Sequence, residues 1–360
     1  MDINDFENSF NDSNRGTYYS SPRWDEFTID DEKTANKRFS RFFFSLFVYM
    51  LTSTLFALGV QFAVSFLAGE RADSIFENTW FIWGLNILSM YVISLPIMYF
   101  IVRKMKNTVR FKENMTITEF LKLFVIAEAL MTIGNLIGTY LNAIIGTFIG
   151  RDITNSTSEL IEKSPVWLIV LVAVIIGPIV EELIFRKLLM DKLGMYGDRI
   201  AIVVSAVSFG IFHGNLYQLF YATLLGLVLA YMYSKTSNIW YPIVMHMIIN
   251  FFGSIIPLPL LDKVERYEEL ITVIANGGQY DTNEFAQLTM IIGVYSLIQW
   301  ALTIGGIVLI YKMKQKLFIS DRCEIMIPKS RLAKVIILNV GTILFITFMI
   351  INMVLNIILI

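Results

Sequence analysis

Two adjacent glutamates, an arginine, two histidines and an asparagine stand on apolar stretches in the middle of this chain. The segment "VEELIFRK" at 180–187 follows the apolar run "PVWLIVLVAVIIGPI" at 165–179. A charged side chain at the centre of a bilayer costs roughly 2.5–3.5 kcal/mol even on the lowest scales, so such groups are rare unless they are paired or used. Glu182 and Arg186 are four residues apart, which lets them pair on one helix face. Glu181 projects roughly 100° away from Glu182 on a helix of 3.6 residues per turn and therefore faces a different space. Phe209 and His213 share a helix face, as do His246 and Asn250, and these are the chain's two histidines. A carboxylate in a confined cavity can take a proton from water, and nearby donors can stabilise a developing negative charge. Glutamates and histidines also bind zinc, with Glu181, Glu182, His213 and His246 as the available ligands. No His-Glu-x-x-His stretch is present and asparagine is a poor zinc ligand, so the metal-free reading is preferred. Structural readings compete residue by residue: an intramembrane histidine can simply bond a carbonyl, and the charges of 181–187 can reach water by snorkelling.

The elements that position these residues are membrane helices. Apolar residues make up 56% of the 360-residue chain and charged residues only 16%, against about 25% in a soluble domain. With about 20 apolar residues needed per crossing, roughly nine spans are expected, at 42–67, 80–102, 119–148, 165–185, 200–213, 216–233, 239–258, 288–311 and 335–359. The fifth is short enough to stop inside the membrane. The fold class is therefore all-α, a polytopic transmembrane helical bundle of eight to nine spans. Lys and Arg alternate along the connections, with six before residue 42, one in the next loop, five in the one after and seven in 312–334. The positive-inside rule then places the N-terminus in the cytoplasm and the C-terminus outside. Trp80, Trp83, Trp167 and Trp240 lie near span ends, where aromatic belts form. "GNLIG" at 134–138 and "GTFIG" at 146–150 predict close packing of the third span against a neighbour. Glu128, Asn135 and Asn142 of that span read as packing or hydrogen-bonding residues. Gly177-Pro178 predicts a kink, after which the glutamates would begin a fresh helical segment whose dipole favours negative charge.

Residues 1–40 read as a disordered, acidic, polar tail with no signal peptide. Net charge near zero argues against a nucleic-acid partner. The single cysteine, Cys323, implies no disulfide and reads as a loop residue.

In order along the chain, "EELIFR", Phe209 to His213, and His246 to Asn250 match E-E-x-x-x-R, F-x-x-x-H and H-x-x-x-N. In these motifs the sequence resembles the CAAX protease and bacteriocin-processing (CPBP, or Abi) family of intramembrane endopeptidases, over roughly residues 165–258. Lys187 stands where many members place a glycine. The resemblance implies Glu181 as general base, His213 as the group holding the water, and His246 with Asn250 as oxyanion donors. Glu182 and Arg186 would neutralise one another. It also implies a membrane-associated protein or peptide substrate, such as a prenylated CAAX protein or a bacteriocin leader. The domain reading is a tail at 1–40, membrane helices at 41–150, the catalytic core at 151–260 and a C-terminal loop with further spans at 261–360. The site is expected in the inner half of the plasma membrane, although His213 falls about 20 Å deep and His246 only about 10 Å by the helical rise. Three alternatives stay open: a zinc-dependent version of the protease, a non-enzymatic regulator or bacteriocin-immunity protein, and a proton-coupled transporter.

Overall fold

A computed structural model of the chain describes residues 28–108, 112–314 and 323–359. Every regular element among them is helical: α1 Ile29–Ala68, α2 Thr79–Val102, α3 Ile117–Ile149, α4 Val166–Tyr196, α5 Asp198–Phe212, α6 Leu216–Thr236, α7 Trp240–Ser254, α8 Leu258–Ala275, α9 Thr282–Met313, α10 Lys329–Ile336 and α11 Val340–Leu359, with shorter turns between. Eight helical stretches among the described residues are long and apolar enough to cross a membrane. The expected fifth span is α5, whose 15 residues fall short of that length. The all-α transmembrane bundle is thus the architecture observed.

The helix begins earlier than the polar composition of 1–40 suggests. Thr28 accepts a hydrogen bond from the Asp31 backbone N–H, and the Asp31 carboxylate accepts one from the Thr28 N–H. This capping box satisfies two end donors, and Asp30, Asp31 and Glu32 complement the positive end of the dipole. The last dozen residues assigned to a disordered tail are therefore the first turns of α1. Glu32 ties them down by ion pairs to Lys334 at 2.7 Å and Arg331 at 3.4 Å, both on α10. The first 27 residues, Arg110 and residues 315–322 lie outside the described residues. Cys323 lies in a loop, as expected, and is buried there.

The helices pack in three groups around α4. On one side α1 meets α2 and α11; on another α3 meets α6 and α9; between them α5, α6 and α7 lie against α4. Small residues set the closest approaches, as the glycine spacing of α3 predicts. A methyl on Gly134 would lie 2.5 Å from the Tyr221 Cα, and one on Gly138 would lie 2.8 Å from the Tyr217 carbonyl oxygen. Gly226 of α6 faces Ala206 of α5 in the same way, at 3.0 Å from its Cα. Without a hydrophobic drive between helices in lipid, such close backbone contact carries the association. At one end of the bundle the Trp80 and Trp167 rings meet at 5.0 Å and Trp83 Nε1 donates to Ser164 Oγ at 2.8 Å, so α2 and α4 start on the same side.

Gly134→Ala forces two backbones apart, and overpacking of this kind typically costs about 1–3 kcal/mol. The variant should melt at a lower temperature in detergent, whereas Gly59→Ala, which meets open space, should melt like the parent.

Candidate active site

The segments around the glutamates are wound unusually. Helix α4 contains two π-helical stretches, Val170–Ile176 and Leu183–Met190, on either side of the α-helical turn Gly177–Glu182. A third, Ile87–Ser94, lies in α2. Such widened turns are rare and frequently mark functional sites. The first one explains Pro178. Proline has no N–H to give and clashes with the carbonyl four residues back; here the Gly177 N–H reaches back five residues to the Val172 carbonyl instead. Residues 176 and 177 keep right-handed helical angles, so α4 runs through without a new N-terminus. The dipole argument for the glutamates is therefore corrected: they sit in mid-helix, and side chains must compensate them.

The compensation is local and nearly sealed. Glu182 and Arg186 are completely buried, with Arg186 Nη1 3.0 Å from Glu182 Oε1. This contact is an ion pair without hydrogen-bond alignment, and Arg186 Nε, Arg186 Nη1 and Glu182 Oε2 have no hydrogen-bond partner among the described residues. Two other interactions hold the guanidinium: it lies 4.7 Å over the Phe209 ring, and its Nη2 donates to the Gly226 carbonyl at 3.3 Å. A desolvated cation over an aromatic face is worth up to about 2 kcal/mol. The glycine that brings α6 close to α5 is thus also the residue whose carbonyl receives Arg186.

His246 of α7 reaches into the same cluster. Its Nδ1 is 2.9 Å from Glu182 Oε1, and its Nε2 faces Glu181 Oε2 at 3.6 Å. One ring nitrogen thus bonds Glu182 and the other lies on the Glu181 side, beyond hydrogen-bond distance. His246 is 3% exposed, whereas the Glu181 side chain keeps 22%. The 100° helical offset has sealed one carboxylate and left its neighbour partly open.

Phe209 organises the remaining groups. Its ring makes edge contacts with His213 at 4.9 Å and His246 at 5.6 Å. Both histidines thus meet one ring, although the helical rise gave them different depths. His213 Nδ1 is 2.8 Å from the Phe209 carbonyl oxygen, which leaves Nε2 as its outward nitrogen. Asn250 Nδ2 donates to the Ala173 carbonyl at 2.9 Å, inside the π-helical stretch of α4, and retains a second N–H. The structure thus brings Glu181, Glu182, Arg186, Phe209 and His246 into direct contact, with His213 joined through Phe209 and Asn250 through the backbone of α4.

Sequence motifs missed several neighbours. Tyr91 of α2 reaches α4, its hydroxyl 3.6 Å from where a methyl on Gly177 would sit, and α1 joins α2 there through Thr52–Ser94 and Ser53–Ser89 hydrogen bonds. Ser45, Tyr49 and Ser53 recur at four-residue spacing, a polar stripe on a lipid-type helix that could have flagged this face. Beyond the cluster, Lys187 pairs with Asp191 at 2.7 Å, and the Tyr233 hydroxyl donates to Asp191 at 2.8 Å. The long Lys187 side chain leaves the helix contact and ends at this rim, half exposed.

Zinc would need three or more converging ligands. Among the described residues no three His, Cys, Asp or Glu side chains are grouped to hold a metal ion. Glu182 is committed to Arg186 and His246, whereas the outward Nε2 of His213 stays available.

Arg186→Ala leaves Glu182 buried beside an unfilled space, and breaking a buried pair from one side costs roughly 3–5 kcal/mol. Abundance and melting temperature should both fall, and Arg186→Lys should restore little because an ammonium cannot spread over Phe209 while reaching Gly226. Thermal melting of the three purified proteins checks this.

Residues 163–252, which run from the start of α4 nearly to the end of α7, match the family model for type II CAAX prenyl endopeptidase Rce1-like proteins. The chain is also 30% identical over 243 residues to the protein named "Putative membrane peptidase YdiL" of Bacillus subtilis (strain 168), covering 64% of this chain and 94% of that protein. No solved structure matches the chain. With the motif residues gathered at one buried site and a relative matched over nearly its whole length, the chain belongs to the CAAX protease and bacteriocin-processing family of membrane peptidases.

Proposed function

We propose that this protein is an intramembrane endopeptidase that hydrolyses a peptide bond of a membrane-associated protein or peptide, with Glu181 activating the water and no metal taking part. One observation carries the reading: Glu181 keeps 22% of its side chain exposed beside a partner cluster, Glu182, Arg186 and His246, that is 0–3% exposed. A base must reach water, and its supports need not.

In this mechanism the Glu181 carboxylate takes a proton as the water oxygen bonds to the scissile carbonyl carbon. The outward Nε2 of His213 holds that water. The carbonyl oxygen becomes an oxyanion, received by the second N–H of Asn250 and by His246 through Nε2, the ring nitrogen on the Glu181 side. The C–N bond then breaks and the proton on Glu181 passes to the leaving nitrogen. Glu182 and Arg186 hold His246 in place and cancel one another's charge.

Glu181→Gln keeps the shape and removes the base, so cleavage should fall by roughly 10²-fold or more with melting unchanged. Asn250→Ala should lose about 10²–10³-fold through the missing oxyanion donor. Comparative mass spectrometry of membrane-associated peptides from cells with parent and variant proteins supplies the substrate. Prolonged chelation of the purified enzyme should leave the rate unchanged. Stoichiometric zinc whose removal and return switch activity off and on would overturn the metal-free mechanism and keep the protease, whereas full cleavage by Glu181→Gln would overturn both and favour a binding role on the same fold.

The Lys/Arg alternation further supports a cytoplasmic N-terminus in the plasma membrane, with α8 outside. Buried Cys323 is a poor reporter, so the check is a Cys323→Ser protein carrying Lys263→Cys on exposed α8. A membrane-impermeant thiol reagent should label it in intact cells; labelling only after lysis would reverse the orientation.

A further inference from the structure

The turn that carries His213 is held from outside the two helices it joins. Helix α5 ends at Phe212 and α6 starts at Leu216, with His213, Gly214 and Asn215 between them. The last carbonyls of a helix lack partners within it and must find them elsewhere. His213 N–H donates to the Gly210 carbonyl at 3.4 Å and Gly214 N–H to the Ile211 carbonyl at 3.1 Å, while His213 Nδ1 lies 2.8 Å from the Phe209 carbonyl oxygen. The Gly214 carbonyl accepts a hydrogen bond from Asn356 Nδ2 of α11 at 2.9 Å, a residue 142 positions away.

Helix α11 is built against this turn. Gly214 has φ +60°, a left-handed conformation that suits glycine, and a methyl there would lie 3.1 Å from Met349 Cε and 3.8 Å from Asn352 Cβ. Phe345, Met349, Asn352 and Asn356 recur at three- and four-residue steps and so share one face of α11. Phe345 and Met349 are completely buried, and the Phe345 ring meets Phe43 of α1 at 5.8 Å. The end of α11 is secured as well. Arg151, just past α3, donates through Nη2 to the Ile357 carbonyl at 2.6 Å and to the Ile358 carbonyl. The Tyr217 hydroxyl, in the first turn of α6, donates to the Ile153 carbonyl at 2.8 Å, so the loop that grips α11 is itself bound to α6. A polar side chain is costly on a membrane helix unless it serves a contact, and Asn356 gives its donor to the residue that follows His213.

The His213 ring is oriented by the Phe209 carbonyl and the Phe209 ring, and both belong to α5 itself. The Asn356 bond instead ties the backbone beneath the ring to a helix outside the 163–252 match. We propose that Asn356 is a positioning residue: by holding the Gly214 carbonyl it fixes where His213 presents its outward Nε2 at the Glu181 site. This rests on the proteolytic reading above. Asn356 touches no substrate and exchanges no proton; it acts through His213.

The test compares full-length parent, Glu181→Gln, Asn356→Leu, His213→Ala and the Asn356→Leu, His213→Ala double variant. A peptide released only when Glu181 is intact is identified by mass spectrometry and synthesised with its flanking residues as the kinetic probe. Leucine keeps the size of Asn356 and removes its donor, so kcat should fall by about 10–10²-fold, since a ~1 Å misplacement can cost the upper figure, with KM nearly unchanged. In the His213→Ala background the same substitution should cost nothing further, because the group it positions is gone. A parent-like kcat would overturn the proposal, and so would an equal loss with and without His213, which marks general support of the fold. A second readout is independent of cleavage. With ring-15N histidine the two histidines give few signals, assigned by their loss in His213→Ala, and Asn356→Leu should move those of His213 more than those of His246. Unmoved His213 signals overturn the proposal. If no peptide depends on Glu181, the proteolytic reading falls, and the ring signals still decide whether Asn356 sets His213. Should Asn356→Leu fail to accumulate, Arg151→Met, which releases the end of α11 from the surface, takes its place with the same expectations.

Discussion

The constraint on which this structure depends is the burial of an ion pair inside a membrane helix. Glu182 and Arg186 are wholly shielded, and neither can be carried in an apolar bundle without compensation from elsewhere. Three neighbouring helices supply it. α5 gives the Phe209 face, α6 gives the Gly226 carbonyl, and α7 gives His246. Each contribution demands close packing, which the small residues at those contacts permit. The fold and the charge cluster are therefore one problem: helices that drifted apart would strand a guanidinium and a carboxylate in an apolar interior.

Two chemically identical residues in sequence are separated into different roles by geometry alone. The helical rotation between Glu181 and Glu182 turns Glu182 toward α7 and Arg186 and leaves the Glu181 side chain 22% exposed. The π-helical stretches on both sides of the pair shift the register of α4, so that Ala173 offers a carbonyl to Asn250 and Gly177 keeps its backbone bond despite Pro178. Helix α4 is held from the α2 side by tryptophan contacts at one end and by Lys192 donating to the Met105 carbonyl at the other, 2.6 Å away. A site held at both ends and compensated in the middle has little freedom to relax.

Much of this was readable from residue types and spacing. Apolar content and span length determined a helical membrane bundle, because lipid leaves the backbone few other ways to satisfy its hydrogen bonds. Four-residue spacings determined that Glu182 could pair with Arg186 and that the histidines shared faces with Phe209 and Asn250, because helical periodicity is local. The glycines of α3 likewise announced a close neighbour. Tertiary structure decided the rest. It decided which carboxylate is sealed, since that depends on His246 arriving from 64 residues away. It decided that Pro178 is met by a widened turn in which Gly177 bonds Val172, since several backbone solutions suit the same Gly-Pro. It decided where α1 begins, since Thr28 and Asp31 outweigh a polar composition once Glu32 finds α10. And it decided that Tyr91 meets α4 at Gly177, one turn before Glu181, because the facing of two packed helices is not written in either one alone.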